Sequence, residues 1–226
     1  MSEKTIIIKN KSSSAHDKNT RWQPIRDGKI FTDYLDQKKN INDEDKRSLI
    51  SNSISLLSQC IEPNANNSII EPNAGLCFGQ IQSGKTTSME ALTALAADNK
   101  FKIIILLTGN VTPLTTQNAI RMDNALLGNK WLVIKNFPKE PWDEYSNIEL
   151  IKSAIATWQN PNLSEAFGKT ILITSMKIVP RIKKIIGLIK KSIQSNYSIL
   201  DKIPTIIIDE EADHYSLNPK ARKNDP

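Results

Sequence analysis

Gly79-Gln80-Ile81-Gln82-Ser83-Gly84-Lys85-Thr86 satisfies the spacing G-x-x-x-x-G-K-[ST] at every position. Glycines at such places let successive backbone N–H groups turn inward around phosphate oxygens, and a helix starting at the loop adds a partial positive charge. A nucleoside triphosphate held this way would lie against Gly79, Gln82, Ser83, Gly84, Lys85, Thr86 and Thr87. Lys85 would reach the β- and γ-phosphates, and the Thr86 hydroxyl would ligate Mg²⁺. ATP and Mg²⁺ are therefore the expected cofactors. The competing reading is a Gly-containing turn that happens to precede a helix. It is weakened by context, since an apolar run precedes the loop and residues 85–97 carry Met89, Leu92, Leu95 and Ala96 at helical spacing.

A second chemical signal is Thr205-Ile206-Ile207-Ile208-Asp209-Glu210-Glu211-Ala212-Asp213. An apolar strand that ends in acids sets carboxylates at the C-terminal edge of a parallel sheet, where such folds bind ligands. There Asp209 would hold Mg²⁺, mostly through water, and Glu210 would orient and deprotonate the attacking water as a general base. Glu211 and Asp213 could be a sensor or exposed charge. Taken alone, an acidic cluster after a strand is more often a solvated turn.

Two further strand ends carry weaker signals. Residues 102–107 run into Thr108-Gly109-Asn110, with Gln117 and Arg121 following on a helix-like stretch. Residues 170–174 lead to Ser175-Met176-Lys177, and the next helix bears Arg181, Lys183, Lys184, Lys190 and Lys191 with no acid between them. Thr108, Gly109, Gln117, Arg121 and Lys177 are candidate nucleic-acid or coupling residues. A turn and a solvated helix face explain the same residues without function. Trp22, Trp131, Trp142 and Trp158 form no ladder on which bases could stack, and read as core or edge residues.

The elements that must position these groups alternate. From Gly75 onward, strand-like runs at 75–78, 102–107, 131–134, 170–174 and 205–208 are separated by helix-like stretches at 85–97, 114–127, 149–158 and 180–194. Strands without polar alternation are covered on both faces, which predicts an α/β fold with a parallel sheet flanked by helices. Residues 1–70 read differently. A polar segment at 9–20 suggests a mobile arm, and Asp43 to Gln59 a helix with acids at its positive end. The Asn-rich stretch 62–73 looks like a connector, which sets the expected boundary near residue 70.

Composition narrows the classes. With 226 residues, 39% of them hydrophobic and 24% charged, the chain is long enough and apolar enough for a globular core. No apolar run approaches the roughly 20 residues of a membrane span, and the N-terminus has no signal-peptide core. Two cysteines and two histidines supply neither a disulfide framework nor a recognised zinc spacing, so a cytoplasmic location is expected. A net charge of +6 leans mildly toward a polyanionic partner.

Together the motifs resemble the Z-one domain family, P-loop NTPases associated with endonucleases of bacterial and phage defence. The likeness runs from about Gly75 to Asn218. It rests on GQIQSGKT, on LLTGNVTPLTTQNAIRM with Leu114, Gln117 and Arg121, on ILITSMK, and on IIIDEEADHYSLN. The family is similar to superfamily-two helicases, so the resemblance implies a RecA-like P-loop lobe over 71–226, preceded by a small helical N-terminal region. Lys177 sits in SMKI without the Asn that usually follows in the family. The chain also stops 17 residues past Asp209. A second lobe, its arginine and any nuclease centre are expected beyond Pro226 or on another protomer. The expected function is ATP binding and hydrolysis by one lobe of a nucleic-acid-dependent ATPase, with DNA as partner and no membrane. The alternative is a nucleotide-gated binding module in which hydrolysis is incidental.

Overall fold

The computed structural model describes residues 6–8, 22–63, 74–78, 84–109, 126, 130–137, 140–160, 162–163, 168–193 and 203–210. The chain divides into two compact units, Met1–Phe101 and Lys102–Pro226. The boundary expected near residue 70 thus falls inside the first unit. The helices before it pack on the helix that follows the glycine-rich loop, which keeps them together.

The first unit holds strand β1 (Ile6–Ile8), helices α1 (Lys29–Gln37) and α2 (Asp43–Leu57), strand β2 (Leu76–Phe78) and helix α3 (Lys85–Asp98). α1 and α2 both pack on α3. Phe31, Tyr34 and Leu35 recur at i, i+3 and i+4 on α1 and are buried, as are Leu49 and Leu57 of α2 and Ala91, Ala94 and Leu95 of α3. Asn42 caps α2 by accepting the Asp45 N–H at 2.8 Å, and Asp43, Glu44 and Asp45 fill its first turn. α3 closes with Lys100 in the left-handed region at φ 68°. Phe101 N–H then returns to the Ala96 carbonyl and Lys100 N–H to Ala97, both at 3.1 Å. β2 is the expected strand, yet it does not join the parallel sheet. It pairs antiparallel with β1, Ile6 opposite Phe78 and Ile8 opposite Leu76. Three consecutive isoleucines are a strong strand former, and the sequence reading, with its mobile arm at 9–20, assigned them no partner.

In the second unit, strands β3 (Ile103–Thr108), β4 (Trp131–Asn136), β5 (Thr170–Met176) and β6 (Thr205–Asp209) accompany helices α4 (Glu144–Gln159) and α5 (Val179–Ser192). The strands form one parallel sheet in the order β4-β5-β3-β6. Helices α4 and α5 cover one face, where Ile151, Ala154, Ile155, Ile185 and Leu188 pack with Ile103, Ile105, Ile134, Ile171 and Ile173. On the other face Ile104, Leu106 and Leu172 are equally buried. Each such side chain contributes about 1.5–3 kcal/mol through burial. The expected α/β class with a parallel sheet is therefore observed. Among the described residues, no helix is long and apolar enough to cross a membrane.

Candidate functional site

The glycine-rich loop meets α3 at Gly84. This residue adopts φ 72° and ψ 25°, the left-handed conformation, and serves as the helix N-cap. Among the described residues nothing lies within 4 Å of the position where a Cβ would stand, so backbone conformation favours glycine here. Its carbonyl accepts the Ser88 N–H at 3.0 Å, which closes the first helical turn. Among the described residues no side chain caps α3, and its first turn carries no acid to offset the positive end of the helix dipole. Lys85 opens the helix, with Thr86 and Thr87 half-buried behind it. Gly79, Gln82 and Ser83 lie outside the described residues, as do Gln117, Arg121, Glu211, Asp213 and, apart from Leu126, the helix expected at 114–127.

Behind the start of α3 stands a polar brace that sequence reasoning missed. The Tyr34 hydroxyl is within bonding distance of the Thr87 carbonyl (3.0 Å) and of Glu90 Oε2 (3.1 Å). Lys38 Nζ donates to the same Glu90 oxygen at 2.6 Å. Tyr34 and Glu90 are almost wholly buried. Burial first, then the neighbouring Glu90 carboxylate, drives the Tyr34 phenol far above its ordinary pKa, so it remains a proton donor. Further along α3, Asp98 accepts the Ile30 and Phe31 N–H groups at 3.1 and 2.7 Å, capping α1 from another helix. Gly28, the N-cap residue of α1, offers no side chain for the task, and a Cβ there would collide with the Asp98 carboxyl.

In the second unit the candidate residues gather at the C-terminal edge of the sheet. Register aligns Asn136 with Ser175, Ser175 with Leu107, and Leu107 with Asp209, which forms one row across all four strands. The row is polar at three of its four positions, directly above the isoleucine core. Asn136 Nδ2 donates to Ser175 Oγ at 3.1 Å and to the Arg181 carbonyl at 3.0 Å. Its Oδ1 accepts from Arg181 Nη1 at 3.0 Å. One buried amide thus fixes β4, β5 and the start of α5. One position further along, Lys177 N–H donates to the Thr108 carbonyl at 2.9 Å and Glu210 N–H to the Leu107 carbonyl at 2.8 Å. Thr108 is fully buried with its hydroxyl donated to the Ser175 carbonyl at 3.2 Å, and Gly109 is also buried.

Lys177 Nζ lies 2.7 Å from Asp209 Oδ2. The two residues extend strands separated by β3, roughly 10 Å apart at ladder spacing, so the lysine side chain crosses the end of the central strand. Of the basic stripe on α5, Lys184 stands over the Trp142 ring at 5.5 Å and Lys191 pairs with Glu144 at 3.1 Å. Those two cations serve the packing of α4 against α5. The tryptophans likewise act structurally: Trp22 bonds the Cys60 carbonyl, Trp158 the Lys169 carbonyl, and Trp131 is buried.

No protein-family model, curated protein or solved structure matches the chain. Geometry and chemistry alone therefore carry the functional argument. The sequence singled out Lys177 and Asp209 separately, and the fold brings them together. Asn136 went unnoticed. A polar residue closing the run WLVIKN was its only signal, and its partners depend on strand register.

Proposed function

We propose that this chain is the ATP-binding and hydrolysing lobe of a nucleic-acid-dependent ATPase. It is similar to the Z-one domain family and acts in DNA restriction or defence. One observation carries the reading: the run GQIQSGKT lies between strand β2 and helix α3, with Gly84 left-handed at the helix start. A left-handed glycine at this place fits a phosphate-binding loop, in which backbone N–H groups converge on an anion at a helix start. The acids at the end of β6, in a parallel sheet, support the same reading.

In this assignment Lys85 neutralises the β- and γ-phosphates, and the Thr86 hydroxyl and Asp209 carboxylate hold Mg²⁺. The donor set suits the ion, which is commonly held by a carboxylate, a hydroxyl and substrate phosphates. Asp209 already meets a cationic group in Lys177. Bound Mg²⁺ supplies charge stabilisation at the phosphate oxygens. Glu210 accepts hydrogen bonds from the attacking water and takes its proton, its backbone being anchored on Leu107.

The test is equilibrium binding of Mg-ATP with phosphate release measured in parallel, with and without DNA. Lys85→Ala is expected to abolish binding, and unchanged affinity in that variant would sink the assignment. Glu210→Gln should retain binding while hydrolysis falls by about 10²-fold or more. Equal hydrolysis in Glu210→Gln would transfer the base role to another residue.

A further inference from the structure

The Lys177–Asp209 pair sits where the proposed function needs an available carboxylate. Lys177 is only 11% exposed and Asp209 31%, so the contact is sheltered on the lysine side and open on the acid side. Water screens such a pair less than one on the surface. Both backbones are tied to β3, Lys177 through its hydrogen bond to Thr108 and Asp209 as the ladder partner of Leu107. Opening the pair is therefore a change of side-chain rotamer with the sheet unmoved. Two kinds of ligand would open it. A divalent cation at Asp209 replaces the ammonium, and an anion near Lys177 replaces the carboxylate. The anion has a reason to come there. Residues 177–183 hold Lys177, Arg181 and Lys183 without an acid, and among the described residues Arg181 is oriented by the neutral amide of Asn136.

We propose that Lys177 is an internal counter-ion for Asp209, and that through this one ion pair a divalent cation at Asp209 and a nucleic-acid phosphodiester at Lys177 favour each other's binding. Whichever ligand binds first opens the pair, and the second binds without that cost. Linkage makes the effect reciprocal. The inference rests on the reading of Asp209 as a cation ligand, and it supplies a physical route by which nucleic acid could stimulate the ATPase.

The test needs no turnover. Mn²⁺ binding to the full chain is followed by electron paramagnetic resonance, and binding of a labelled single-stranded oligodeoxynucleotide by fluorescence anisotropy. In the wild type, saturating oligonucleotide should tighten Mn²⁺ binding on the order of 5-fold or more. Lys177→Gln should bind Mn²⁺ tighter by a similar factor and lose its response to oligonucleotide, and Lys177→Arg should keep it. Asp209→Asn should bind the oligonucleotide tighter without metal. Lys190→Gln makes the same charge change at an exposed position of α5 outside this stretch and should leave Mn²⁺ binding unaltered. A wild-type Mn²⁺ affinity indifferent to oligonucleotide overturns the proposal, as does a Lys177→Gln protein that binds Mn²⁺ no tighter. Because ATP is absent, the coupling can stand while Lys85-dependent nucleotide binding fails, or the reverse.

Discussion

The two units treat polar groups in opposite ways. In the first, charged and hydrogen-bonding side chains penetrate between the helices: Glu90 with Tyr34 and Lys38, Asp98 beneath the start of α1, and Asn99 bonded to both the N–H and the carbonyl of Ile25. In the second, the sheet interior is built of isoleucine and leucine, and polar contacts collect in the row at its C-terminal edge. Three helices without a shared sheet can slide and rotate, and directional bonds remove that freedom. A parallel sheet is already fixed by its ladders, which leaves its edge for chemistry.

Truncating the apolar interior should show the contrast most strongly. Ile173→Ala is expected to cost about 2–5 kcal/mol through lost burial and a residual cavity. Three of the four tryptophans lie in the second unit, so denaturant unfolding followed by fluorescence reports on it. An unchanged midpoint would mean that the sheet is not the stabilising element. Next comes the brace of the first unit. Glu90→Ala removes the acceptor shared by Tyr34 and Lys38 and should cost about 1–3 kcal/mol. The loss is read as faster hydrogen exchange in α1 and α3 with that of β3 and β5 unaltered, and equal acceleration in both units would erase the distinction drawn here.

The smallest effect sharpens the comparison most. Asp98 and Asp143 are both carboxylate caps, the first for α1 and the second for α4, where it accepts the Ser146 N–H at 3.0 Å and hydroxyl at 2.7 Å. Burial raises the Asp98 pKa above its ordinary value despite its two N–H donors. The Ser146 hydrogen bonds lower that of Asp143. Relative to the unfolded chain, the Asp98 contribution is fully present below the ordinary carboxylate range and is lost as pH rises through its folded value. That of Asp143 is present above the ordinary range and is lost as pH falls through its folded value. Side-chain NMR titration should show the two carboxyls displaced in opposite directions, and displacement the same way would refute the assignment.

Much of this was legible in the chain. Apolar runs located β3, β4, β5 and β6, and helical spacing with terminal acids located α2, because those signals are local. α1 was not found although Phe31, Tyr34 and Leu35 are correctly spaced. Its N-terminus is satisfied by Asp98, 67 and 68 residues away, so the usual local cap is missing. The pairing of β1 with β2 and the row from Asn136 to Asp209 were hidden for the same reason, since register across distant strands is set by tertiary packing. In the candidate site, residue types are readable from the chain, and adjacency comes from the fold. Lys177 and Asp209 are each ordinary in their own neighbourhoods.

Gly28 and Gly84 look alike on paper and would fare differently in a library of variants. At Gly84 the backbone is left-handed while nothing among the described residues crowds it, so asparagine, which tolerates that conformation, is the substitute with the best prospect of folding. At Gly28 the backbone is ordinary, with φ −62°, but the Asp98 carboxyl fills the room for any side chain. Any side chain at 28 must displace Asp98 from the N–H groups that it caps, and a smaller residue at 98 would make the room.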